Sequence, residues 1–105
     1  MKVHYYTSGE RQPVREYIDA LPREERAVII AVLLDIGEHD LKGTTVTRHI
    51  DGKLWELKIS RHRIFYVLIM GPVMVLLHAY KKQGQKAPPR ELDVARKRMK
   101  EILGE

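Results

Sequence analysis

The sequence predicts an α+β fold: an N-terminal helical hairpin packed on a twisted antiparallel β-sheet and closed by a C-terminal helix. Three observations predict it. Apolar residues recur at helical spacing in the first third of the chain, the period changes from helical to strand-like from Lys42, with strands between Val46 and Tyr80, and a last helical stripe follows Pro88-Pro89. A chain of 105 residues has room for one modest core, so a single domain over 1–105 is expected.

Val3 to Thr7 is rich in β-formers and reads as a short first strand, ended by Ser8-Gly9-Glu10. Pro13 suits the first turn of a helix running to about Leu21, whose Val14, Tyr17, Ile18 and Leu21 share one face. Pro22 ends that helix and starts the next, where Glu24 and Glu25 meet the positive end of the helix dipole. The second helix contains AVIIAVLL and is expected to stop near Gly37. It is apolar nearly all round, so it needs cover from the sheet and from a partner.

Val46 to Ile50 reads as a strand, Asp51-Gly52 as a two-residue hairpin turn, and Lys53 to Ser60 as the returning strand. Trp55, Leu57 and Ile59 point to one face, and Leu54, Glu56 and Lys58 to the other. Arg61-His62 makes a corner. The strands His62 to Met70 and Val73 to Tyr80, joined by Gly71-Pro72, are apolar on both faces and mark the sheet's centre. The last helix aligns Leu92, Ala95, Met99, Ile102 and Leu103, with Arg90, Lys97 and Lys100 opposite.

Without cysteine, disulfides and thiolate metal sites are excluded. The start lacks the apolar core of a signal peptide, and the apolar runs are too short or too broken to span a bilayer. A cytoplasmic protein with no membrane contact is expected. Charge is uneven: residues 1–40 carry 5 basic and 8 acidic side chains, net −3, and residues 41–105 carry 14 and 6, net +8, which together give the +5 of the chain. Such polarity favours an anionic partner for the second half.

There is no nucleotide-cradling glycine loop, no HExxH and no nucleophile elbow. His4, His39, His49, His62 and His78 are not spaced as metal ligands, so no metal and no cofactor is expected. His78, in the most apolar strand, reads as a hydrogen-bonded core histidine. The positive constellation is Arg48, Lys58, Arg61, Arg63, Lys81, Lys82 and Lys86. Antiparallel pairing brings Lys58 and Arg63 together across the corner, and the lysines leave the neighbouring strand. This is an anion site suited to a phosphodiester, with Arg48, Arg61, Lys81 and Lys86 as RNA-binding candidates. Cutting RNA also requires a base for the 2′-hydroxyl, charge stabilisation at phosphorus and an acid for the leaving 5′ oxygen. Arginine supplies only the second, and lysine, tyrosine and histidine can carry protons. Tyr80 and His62 are the proton carriers nearest by sequence.

LWELKI, RHRIFYVL and LLHAYKKQGQKAPPRELDVARKRMKE, in that order, resemble the RelE/HigB superfamily of toxins from type II toxin–antitoxin systems, in the branch described as phage-derived Gp49-like. The resemblance covers residues 46 to 103. It implies the α+β fold above and a ribosome-dependent endoribonuclease that cleaves mRNA. It also implies a cognate helix-turn-helix antitoxin bound in a hetero-oligomer. In its light Arg63 stabilises the scissile phosphate, Lys58 transfers a proton or clamps the phosphate, and Lys82 with Lys81 supplies charge after the last strand. Glu56 stands where some relatives carry lysine, and it either holds Lys58 or Arg63 by an ion pair or acts as base. The catalytic tyrosine or histidine that several relatives carry near the C-terminus has no counterpart in the tail EILGE. Two other readings stay open: a ParE-like inhibitor of DNA gyrase, and a non-catalytic relative that binds RNA or a partner protein.

Overall fold

A computed structural model describes residues 1–41 and 46–105. Its elements are β1 (Lys2–Tyr5), α1 (Pro13–Asp19), α2 (Arg23–His39), β2 (Val46–Asp51), β3 (Leu54–Ile59), β4 (His62–Ile69), β5 (Val73–Lys81) and α3 (Pro89–Leu103). The five strands form one sheet in the order β1-β5-β4-β3-β2. β4 lies at its centre, as the apolar character of its two faces requires.

The sheet is mixed, which corrects the expectation of a purely antiparallel one. β2 to β5 form an antiparallel meander, but β1 runs parallel to β5, with Lys2 opposite Val73 and Tyr5 opposite Leu76. The reason is topological: β1 is separated from its neighbour β5 by two helices and three strands, so the connection leaves either direction open. The first hairpin is also shifted by one residue. Asp51 pairs with Leu54 inside the ladder, so Gly52-Lys53 makes the turn, with Gly52 at φ +50° as such a turn requires. Asp51 is thereby free to bind Arg96 of α3 at 2.6 Å.

α1 opens on Pro13, and the Glu16 carboxylate reaches back to accept the Gln12 backbone N–H at 3.1 Å. α2 continues past Gly37 to His39, since one glycine weakens a helix by only about 1 kcal/mol. It stops where Asp40 turns left-handed at φ +62°, and that carboxylate holds the Met1 amine at 2.8 Å.

Two cores sandwich the sheet. On one face Val14 and Ile18 of α1 and Ile29, Leu33 and Ile36 of α2 pack on Leu57, Ile59, Ile64, Tyr66, Met74 and Leu76. On the other, Ala95 and Met99 of α3 close over Leu54, Phe65, Val67, Val75, Leu77 and Tyr80. α2 turns Val28, Ile30 and Leu34 outward, the last 64% exposed, so its apolar circumference is covered on the sheet side alone within this chain.

Candidate active site

Side chains directly opposite each other on paired strands share one face of the sheet. On the α3 face this places two rows across the ladder. One runs Lys58, Arg63, Tyr80 over β3, β4 and β5; the other runs Arg48, Glu56, Phe65, His78 over β2 to β5. The turn Ser60-Arg61 that joins β3 to β4 lies beside the first row. Ser60 is left-handed at φ +56°, a conformation that disfavours residues with a Cβ by roughly 1–2 kcal/mol. Its carbonyl accepts Arg63 Nη1 at 2.8 Å, and the His62 carbonyl accepts the same nitrogen at 3.0 Å. The guanidinium is therefore aimed by the turn through one nitrogen.

Arg63 is buried to 7% exposure, yet it lines an open cleft of about 600 Å³ with Ser60, Arg61, Lys82, Gln83, Gly84 and Gln85. The backbone ties two sides of that cleft together, because the Lys82 N–H donates to the Arg61 carbonyl at 2.8 Å. Arg63, Arg61 and Lys82 are thus brought together. Glu56 is buried at 6% exposure, and its partner is Arg48 on the sheet's edge strand, Nε to Oε1 3.7 Å. Of the partners expected for Glu56, neither Lys58 nor Arg63 is the one it holds. Lys58 is exposed and lines a neighbouring hollow of about 440 Å³ between α2 and the β2–β3 edge, with Ser60 common to both hollows. Lys81 goes elsewhere: it sits opposite His62 on the helical-hairpin face, 3.7 Å from Glu25. Lys86 is exposed on the loop and is not part of the cleft's lining.

His62, one of the two nearest proton carriers, points away from this site. As the immediate neighbour of Arg63 on a strand it faces the opposite side. There it is 1% exposed, with Nδ1 2.6 Å from Tyr17 Oη and Nε2 2.7 Å from Glu25 Oε1. A neutral ring protonated at Nε2 satisfies both bonds, donating to Glu25 and accepting from Tyr17. The His62 bond, then burial acting in opposition and the Lys81 charge, leave the Glu25 carboxyl below its ordinary 4.5. Burial, reinforced by Glu25, raises the Tyr17 phenol to about 12. This trio fastens α1 and α2 to β4; the sequence shows Tyr17 only as part of the apolar face of α1, Glu25 as a charge at a helix start and His62 as a corner residue.

A pH test follows. A carboxyl depressed in the folded state contributes stability that is fully present above its unfolded value and lost as pH falls through the folded one. The stability gap between the native chain and Glu25→Gln should be constant above about pH 4.5 and close at lower pH, read by denaturant melts across that range. A gap that stays constant down to pH 3 would contradict the assignment.

His78 is hydrogen-bonded, as expected of it, but to α3: Nε2 lies 2.7 Å from Glu91 Oε1 and Nδ1 3.4 Å from Arg98 Nη1. Both ring nitrogens are engaged, and the ring lies parallel to Phe65 with centroids 6.5 Å apart. Tyr80 stacks on the same Phe65 at 5.7 Å. Burial, then the Glu56 charge, raise the Tyr80 phenol, and Arg63 opposes them. Among the described residues no group of three or more His, Asp or Glu side chains is arranged to hold a metal ion.

The family described as Phage derived protein Gp49-like (DUF891) matches residues 16–100. No curated protein matches the chain. The archaeal RelE–RelB complex from Pyrococcus horikoshii OT3 contains a chain similar in structure, with a TM-score of 0.55 and 15% identity over 81% of this chain and 94% of that one. At that identity the likeness is one of fold, and it gives this chain a RelE-like fold.

Proposed function

Because the chain belongs to the phage-derived Gp49-like family, we propose that it is the toxin of a type II toxin–antitoxin pair and cleaves mRNA on the ribosome. Family membership and the RelE-like fold support the toxin role. The nuclease reading is carried by one observation: a buried guanidinium is held by two backbone carbonyls through one nitrogen and borders a cleft shared with Arg61 and Lys82. A planar fork fixed in advance is suited to the three charged oxygens that develop at phosphorus in the transition state. Glu56 or Lys58 takes the 2′-hydroxyl proton, and Lys82, Arg61, Arg48 and the loop lysine Lys86 hold the flanking backbone. Placing the 2′-oxygen in line with phosphorus is a matter of substrate geometry, which the ribosome supplies for bound mRNA.

The proposed partner is a small helix-turn-helix antitoxin that covers the basic face in a hetero-oligomer, with action in the cytoplasm. No described helix is long and apolar enough to cross a membrane. The deciding experiment is induction followed by mapping of cleavage in ribosome-bound mRNA. Growth arrest with intact mRNA and halted replication would replace this reading with gyrase inhibition.

The cleft residues should act on affinity. Arg61→Ala and Lys82→Ala should each weaken binding of a single-stranded RNA oligonucleotide and lower the slope of log affinity against log salt by about 0.7, the value for one phosphate contact on a single strand. Unchanged slopes in both variants, measured by fluorescence anisotropy, would remove them from the interface.

A further inference from the structure

We propose that Tyr80 is the general acid of the cleavage step, donating its phenolic proton to the departing 5′ oxygen. The assignment rests on the nuclease reading above and names the group that reading lacks. Tyr80 stands directly opposite Arg63, which stands directly opposite Lys58, so the three residues are in register on adjacent strands and share one face of the sheet. Its ring is 6% exposed and is fixed by stacking on Phe65.

The hydroxyl differs from the ring. Among the described residues no buried side-chain nitrogen or oxygen lacks a hydrogen-bond partner, and Tyr80 makes no hydrogen bond to any of them. Its oxygen is therefore not wholly enclosed and keeps contact with solvent. The other candidate acids are committed elsewhere. His62 serves Tyr17 and Glu25 on the far face, and His78 has Glu91 and Arg98 on its two nitrogens. Tyr6 is bound to Glu101 at the opposite margin of α3.

The charges around Tyr80 suit a donor. Glu56 and Glu91 favour the protonated phenol, while Arg63 and Arg48 stand ready to stabilise the phenolate once the proton has left. In the step, the 2′-oxygen loses its proton to the base and forms a bond to phosphorus. The bond from phosphorus to the 5′ oxygen breaks, and that oxygen takes the proton of Tyr80. The products are a 2′,3′-cyclic phosphate and a 5′-hydroxyl, and solvent returns a proton to the phenolate. An alkoxide is a far stronger base than a phenolate, so the transfer runs downhill.

The test uses the full chain and ribosome-bound mRNA carrying either an ordinary linkage or a bridging 5′-sulfur at the cleavage position, whose thiolate leaves without a proton. Tyr80→Phe keeps the ring and its stacking. It should slow single-turnover cleavage of the ordinary linkage roughly a hundredfold or more, the usual contribution of a positioned proton donor. It should cut the sulfur linkage at the wild-type rate. Arg63→Ala should remain slow on both. Equal rates for wild type and Tyr80→Phe on the ordinary linkage overturn the assignment, as does a loss that sulfur fails to restore. Wild-type protein that leaves both linkages intact overturns the nuclease reading itself.

Discussion

Arg63→Ala should abolish growth arrest and lower cleavage of ribosome-bound mRNA by a factor of order a hundred or more, with the circular dichroism spectrum of the native fold retained. The magnitude is that of one preorganised donor lost from a transition state. It applies here because the Ser60 and His62 carbonyls fix the guanidinium before substrate arrives. Arg63→Lys should recover little. An ammonium cannot both engage those two carbonyls and present a second edge to phosphate, whereas the planar fork can. A folded Arg63→Ala protein that still arrests growth would place the chemistry elsewhere on the molecule. Lys58→Ala is the companion variant, and full toxicity in both would remove the whole row.

Phe65→Ala should be the most damaging change to stability, by about 3–5 kcal/mol, read as the shift in a urea melt. Phe65 is fully buried at the centre of the sheet, and its ring is the surface on which both His78 and Tyr80 stack. Removing it creates a cavity and releases the aromatic neighbours on either side. A small domain has only about 5–15 kcal/mol in reserve, so this one change should remove a large share of the margin. Phe65→Leu, which refills most of the volume, should cost far less and should still loosen Tyr80. A loss below 1 kcal/mol for Phe65→Ala would mean that α3 collapses into the gap.

The antiparallel strands were legible because alternation is a strict period of two, which also placed Lys58 opposite Arg63 correctly. The centre of the sheet was legible for a similar reason: β4 and β5 carry no polar face. What escaped was everything that depends on direction or on distant partners. β1 is too short to show which way it runs, so its parallel pairing could not be read. Gly52 signalled a turn, but the choice between Asp51-Gly52 and Gly52-Lys53 depends on Arg96, 45 positions further along and ion-paired to Asp51. Lys81 looks like one more cation in a basic segment, and only the alternation along β5 reveals that it faces Glu25 instead of the cleft. His62 and Arg63 are adjacent in sequence, and the same alternation assigns one to the helical hairpin and the other to the candidate site. That signal was present, although the burial of His62 against Tyr17 and Glu25 was not.

The parallel pairing of β1 with β5 sets an order for the birth of the molecule. Lys2 leaves the ribosome first, but its partner Val73 is made 71 residues later. The row Lys58, Arg63, Tyr80 is complete only when β5 has emerged, and α3, which closes that face, follows β5 in the chain. Contacts this distant in sequence form late, after the entropy of a long loop has been overcome. The row Lys58, Arg63, Tyr80 is therefore among the parts of the fold that come together last.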